Sequence, residues 1–343
     1  MLNRTHFQFG RAASAAALAL TLVVAGCGTD EETLSDRSTS STPDIQTTTT
    51  PDVVPSTPID AADVAVTPVT TEVTYEQSET AFLEGRYDEA VDLFTAYTAR
   101  REANPWGHYM LGMSAWKSGR YETAETAFKR AVELDTTLVK GHLNLGRVLI
   151  ESSRPTEALS VADRALAIGG ESSAAYRLKG RAYHTLGQSE DAIAAYRHAI
   201  GIDADDAWSM NNLALILIEE GRYDEALPAL ARATELRKDV AVFFNNLGMA
   251  LEHTGHFRGA EEAYTLAVSL EGASPKAIAN RDRVASVQEQ PGLAPVDLAA
   301  LARNFEAEVE SWRGSSVATA TVQDEETLVP SASDTTSTAQ QPR

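Results

Sequence analysis

An all-α solenoid is the fold this sequence predicts, and three observations carry the prediction. The phrase G-R-Y-D-E-A stands at Gly85–Ala90 and again at Gly221–Ala226, with the near copy G-R-Y-E-T-A at Gly119–Ala124. The interval from Gly85 to Gly221 is four times that from Gly85 to Gly119. Apolar residues recur at helical spacing on both sides of each glycine, which gives two helices per period. One such pair cannot bury its own apolar face, whereas a stack of pairs can.

The N-terminal element is an export signal. Arg4 and Arg11 precede the apolar run from Ala12 to Val24, and the run ends in V-A-G-C at Val24–Cys27. A positive start, about a dozen apolar residues and small residues at the cut describe a signal peptide over 1–26, and the apolar run is too short to span a bilayer comfortably. Val24-Ala25-Gly26-Cys27 resembles the lipobox of bacterial lipoproteins. The resemblance implies diacylglycerol on Cys27, the only cysteine of the chain, and a mature protein that starts there. With two or three acyl chains, anchoring is stable. Gly28 rather than Asp after the cysteine implies, by the same resemblance, the outer membrane facing the periplasm. A lone cysteine also excludes an intrachain disulfide and a cysteine-based metal cluster.

Residues 27–72 form a tether rich in Thr, Ser and Pro. Between Gly28 and Glu72 nine carboxylates face the single Arg37, and aromatic residues are absent. Such a segment buries too little apolar surface to offset its ordering entropy, so the composition predicts disorder and an end-to-end reach of about 40 Å. The tail over 313–343 has similar composition. The net charge of −20 opposes nucleic acid and anionic lipid surfaces as partners of the chain as a whole.

The repeats occupy the region between. Aligned on the alanine that closes each phrase, a column appears at Ala90, Ala124, Ala158, Ala192, Ala226 and Ala260, every step equal to the interval from Gly85 to Gly119. Gly85, Gly119, Gly187, Gly221 and Gly255 stand five positions earlier, with Ser153 in the third repeat. Leu111-Gly112, Leu145-Gly146, Lys179-Gly180, Leu213-Ala214 and Leu247-Gly248 precede the alanine by thirteen and twelve. Phe94, Phe128, Ala162, Tyr196, Leu230 and Tyr264 follow it by four. The glycines before each second helix suit a left-handed turn, the small residues permit close helix approach, and the aromatics fill the gaps.

This pattern resembles the tetratricopeptide repeat over 71–274, in six copies. The resemblance implies a right-handed α-solenoid of six 34-residue helix–turn–helix repeats, with a polar capping helix from Pro275 to about Gln288, so that repeats and cap fill 73–290. Departures are local: Gln77-Ser78 replaces Leu-Gly in the first repeat, and Ser153 with the small Ala162 predicts that the third is the loosest packed. An amphipathic helix follows at 296–312, with Leu298, Leu301, Phe305, Val309 and Trp312 on one face. It can pack on the end of the stack, bind a partner, or fold back into the groove, packing being the expectation.

By the same resemblance, the second, fifth, sixth and ninth residues of each repeat line a concave groove. Those columns hold Trp106, Lys140 and Trp208; Tyr109, Arg177, Asn211 and Asn245; Asn144, Asn212 and Asn246; and Met113, Arg147, Arg181 and Met249. Asparagines both donate to and accept from a peptide backbone, and arginines clamp carboxylates. The alternative for the same residues is that the asparagines cross-link neighbouring helices and the arginines form surface ion pairs.

No catalytic constellation accompanies the repeats. His253 and His256 straddle an inter-helix turn, His108 and His142 share a packing column, and no phosphate-binding glycine motif is present. The sequence therefore predicts a non-enzymatic chain with no cofactor beyond the lipid on Cys27, no metal, and a protein or peptide partner. The expected role is a lipid-anchored scaffold or adaptor in the assembly of a cell-envelope machine. Lipoproteins of similar layout assemble type IV pilus secretins, adapt peptidoglycan enzymes or support outer-membrane protein insertion, and N-N-L-A and N-N-L-G at Asn211 and Asn245 look most like the first group. The alternative is a periplasmic module that binds peptides or carboxylate ligands, or a non-catalytic subunit that regulates a cell-wall enzyme.

Overall fold

The computed structural model describes residues 72–270 and 275–326. The signal peptide, Cys27, the tether before residue 72 and the tail beyond 326 lie outside the described residues. Six helix pairs follow one another: α1 (Tyr75–Leu83) with α2 (Tyr87–Arg100), α3 (Pro105–Lys117) with α4 (Tyr121–Leu134), α5 (Val139–Glu151) with α6 (Pro155–Gly169), α7 (Ser173–Thr185) with α8 (Ser189–Ile202), α9 (Ala207–Glu219) with α10 (Tyr223–Leu236), and α11 (Ala241–His253) with α12 (Phe257–Ser269). Two single helices, α13 (Pro275–Val284) and α14 (Leu298–Glu326), complete the fold, which is all-helical among the described residues. Pro275 stands one full period after Ala241, so α13 is the first helix of a seventh, unfinished repeat.

Each pair turns on a left-handed residue. Gly85, Gly119, Gly187, Gly221 and Gly255 have φ between 73° and 85°, and Ser153 takes the same position at φ 59°. A six-residue bond closes every turn, as from Arg86 N to Ala81 O and from Arg154 N to Leu149 O, each under 3 Å. A side chain in this conformation costs about 1 kcal/mol or more relative to glycine, a strain that Ser153 carries alone among the described residues.

The alanine column is fully buried at all six positions, as are Phe94, Phe128, Ala162, Tyr196, Leu230 and Tyr264. Burying each large ring contributes about 1.5–3 kcal/mol. The small residue in the first helix of a pair sits against the ring of the second: a Cβ added at Gly112, Gly180 or Gly248 would lie 2.6 Å from Phe128, Tyr196 or Tyr264. In the third repeat Ala162 leaves that space without a ring. Leu178 of the next repeat takes it, 2.5 Å from where a Cβ on Gly146 would stand. In the first repeat Ser78 fills the glycine position, buried, its hydroxyl donating to Thr74 O at 3.0 Å.

First helices of successive repeats touch one another along the whole series, α1 to α3 and onward to α11 and α13. No Cα of a second helix comes within 8 Å of the next second helix. The first-helix face is therefore the inner side of the stack and the second helices splay apart on the outer side. The C-terminal chain returns along that outer side. Glu289 accepts from Arg258 N at 3.0 Å at the start of α12, and α14 then lies across α10 and α8. Phe305 and Val309 are buried there, in the same core as Ile193, Ile200 and Leu227, with Leu298, Leu301 and Trp312 partly covered. Packing, the expected outcome for 296–312, is thus found on the outer face rather than at the end, and the helix runs on past 312 to Glu326.

Candidate functional site

The inner face divides into anchors and spacers. Trp106, 38% exposed, opens it: its indole N–H donates to Tyr75 Oη at 2.8 Å and its ring stacks on Tyr109 at 4.7 Å. Burial, with the nearby Glu79 carboxylate, pushes the Tyr75 phenol up to about 12, so it stays a neutral acceptor. Trp208 is half-buried and meets Phe243 edge-on at 4.8 Å. Met113 and Met249 are half-buried, and Lys140 is exposed.

The asparagines interlock. Asn280 Nδ2 donates to Asn245 Oδ1 at 3.1 Å, Asn245 Nδ2 to Asn246 Oδ1 at 3.5 Å, Asn246 Nδ2 to Asn211 Oδ1 at 2.9 Å, and Asn211 Nδ2 to Asn212 Oδ1 at 3.3 Å. The relay crosses α13, α11 and α9, and all its members are buried except Asn212, where it ends. Asn144 makes the equivalent link earlier in the stack, donating to Tyr109 Oη at 2.9 Å and accepting from Arg147 Nη1 at 2.9 Å. These amides hold neighbouring repeats together, since a buried amide needs a partner. Asn280 was not among the residues singled out from the sequence, although it stands in register one period after Asn246.

The arginines are also engaged. Arg177 Nη1 lies 2.6 Å from Asp206 Oδ1, and that carboxylate also accepts from Ser173 Oγ, Ser209 Oγ and Ser209 N. Burial pushes the Asp206 carboxyl up, but Arg177 and the serine donors outweigh it and hold the group below its ordinary value. Arg181 pairs with Glu151 of the previous repeat at 2.9 Å. Asp206 and Glu151 escaped the sequence reading because their pairing is set by the angle between repeats. Asp206 does carry one local signal, an N-capping Asp three positions before Ser209.

Charge is unevenly distributed over this face. Helices α3, α5 and α7 carry Lys117, Lys140, Arg147, Arg177, Lys179 and Arg181 against Glu151 alone. Lys179 turns away to Asp163 of α6, and Lys117 lies over the Trp116 ring at 5.6 Å. The face is thus basic and aromatic towards repeats two and three, and amide-lined with Trp208 towards repeats five and six. His108 and His142 contact the backbone carbonyls of Glu102 and Thr136 near the starts of α3 and α5. His253 stacks on Tyr223 at 4.2 Å. Among the described residues no three His, Cys, Asp or Glu side chains are grouped for a metal ion, and no helix is long and apolar enough to cross a membrane.

A family model described as tetratricopeptide repeat matches residues 109–173, 143–207 and 211–278. Among solved structures, the chain is similar to a tetratricopeptide repeat protein from Parabacteroides merdae ATCC 43184, with 12% identity and a TM-score of 0.56 over 64% of this chain and 86% of that one. It is similar to a chain of the Cut9–Hcn1 hetero-tetramer of the APC/C, with 16% identity and a TM-score of 0.53 over 60% and 41%. MamA from Desulfovibrio magneticus RS-1 aligns at 22% identity and a TM-score of 0.43, over 48% of this chain and 92% of that one. The first two likenesses show the fold. No curated protein sequence matches.

Proposed function

Because this chain carries tetratricopeptide repeats, we propose that it is a scaffold that holds an extended segment of a partner protein on its inner face. One observation carries the reading: α14 covers the outer side at α8 and α10, while among the described residues no element lies across the first-helix face beside Trp106, Lys140, Trp208 and Asn212. Its buried amides and ion pairs fix the spacing of those anchors before any partner arrives, which lowers the ordering cost of binding. The partner's apolar side chains meet Trp106 and Trp208, and its polar backbone meets Asn212. Clamping of a free carboxylate by Arg177 and Arg181 is the weaker version, because Asp206 and Glu151 already occupy both guanidinium groups.

The proposal assigns no chemistry to the chain. It includes the lipid anchor on Cys27, export, and a place at the outer membrane facing the periplasm, in the assembly of an envelope machine. The support for these is the V-A-G-C phrase and Gly28.

Photocrosslinkers at Lys140 and Asn212 should trap a common partner in cells, and Trp208→Ala with Lys140→Glu should lower its capture at least tenfold without loss of helix content. Equal capture by the variant, or crosslinks only from the outer helices, refutes inner-face binding. Wild type should incorporate labelled palmitate and Cys27→Ser should not; a Cys27→Ser protein that keeps its membrane fractionation refutes the anchor.

A further inference from the structure

The geometry points to α14 as a releasable wedge that sets the curvature of the inner face, and we propose this role for it. Second helices of neighbouring repeats stand apart, with no Cα of α8 within 8 Å of α10. At that one repeat boundary a third helix fills the gap: α14 contacts both helices, with Phe305 and Val309 buried among their side chains. Polar ties lock its position along the groove. Arg313 Nε donates to Gly201 O near the end of α8 at 2.7 Å, Glu306 pairs with Arg232 of α10 at 2.9 Å, and Arg197 of α8 lies 5.2 Å over the Trp312 ring.

The opposite side of the same boundary is pinned by Arg177 of α7 against Asp206 at the start of α9. A joint fixed on its inner side and propped on its outer side has its angle set by the prop. In a linear array that angle is passed to every repeat beyond it. Without α14, the apolar sides of α8 and α10 reduce their exposure by approaching each other. The outer gap then narrows, the stack straightens, and the ends of the inner face move apart.

The seam is also poised to open. Arg197 Nε and Arg232 Nε are buried without a hydrogen-bond partner, and both belong to side chains that touch α14. Unpaired buried donors of this kind regain water when the cover leaves, which offsets part of the apolar area lost. The proposal goes beyond the scaffold reading, resting on it only for the consequence that release alters partner binding.

The test is a distance that needs no partner. Spin labels at Lys140→Cys and Lys276→Cys, both exposed second residues of their repeats, span the wedged boundary in a full-length Cys27→Ser background. Labels at Leu83→Cys and Lys140→Cys report on repeats that α14 does not touch. With Phe305→Glu, hydrogen exchange over 298–312 should rise at least tenfold. The 140–276 distance should then lengthen by about 2 Å or more, while the 83–140 distance stays the same. If Phe305→Glu loses helix content within the repeats, the double variant Trp312→Ala with Arg313→Ala carries the same readings. An unchanged 140–276 distance with α14 released overturns the wedge. Continued protection of 298–312 in the variant that folds overturns its releasability. Neither result bears on whether partners bind the inner face, which the crosslinking experiment decides separately.

Discussion

Asp206 shows how much one buried residue decides in a repeat array. Its carboxylate caps α9, pairs with Arg177 and takes two serine hydroxyls, so no lone-pair direction is wasted in a site only 4% exposed. Removing one member of a buried pair leaves the other without its counter-charge, at about 3 kcal/mol or more. Asp206→Asn should therefore lower stability to urea at neutral pH by about that amount. The pH dependence follows from the direction of the shift. A carboxyl held below its unfolded value stabilises the fold above about pH 4 and loses that contribution as pH falls through its folded value. The gap between wild type and Asp206→Asn should accordingly shrink as pH is lowered below about 4. A gap independent of pH would mean that the pair contributes no charge-dependent stability.

At the scale of the helix pair, six turns share one geometry and five of them use glycine. The exception was visible in the sequence as a break in a column, and the structure gives it a cost: Ser153 holds φ 59° where glycine is strain-free. Ser153→Gly should raise stability by about 1 kcal/mol, read as a higher urea midpoint at unchanged slope. A midpoint that stays put would show that the seryl side chain compensates within the turn. The other weakness expected of the third repeat, the missing ring at Ala162, has a different outcome. Leu178 reaches in from α7 and occupies the space over Gly146, a substitution between repeats that a column-by-column reading does not reveal. The asparagine columns behave the same way. Their periodicity was legible, but whether an amide faces a ligand or a neighbouring helix depends on contacts as short as 2.9 Å and 3.1 Å between side chains far apart in the chain.

Across the whole described fold, contacts are overwhelmingly between neighbours in the chain, and α14 is the element that reaches back, from beyond the last repeat to the fourth. Arrays held by nearest-neighbour contacts lose structure locally. Phe94→Ala, which costs about 3–5 kcal/mol, should raise hydrogen exchange in α1, α2 and the adjoining α3 while α8, α10 and α14 keep their protection. Uniform loss of protection would show that the array unfolds as one unit.

The sequence by itself determined the helical class, the period of the repeat, the turn positions and the buried columns, because each of these follows from local spacing and from the identity of single residues. The basic and amide-rich columns were also legible in it as periodic positions on the first helices. Tertiary structure alone decided which of those side chains are already engaged and where α14 lies. Both depend on the angle at which one repeat meets the next, a sum of many small packing contacts that no single spacing encodes.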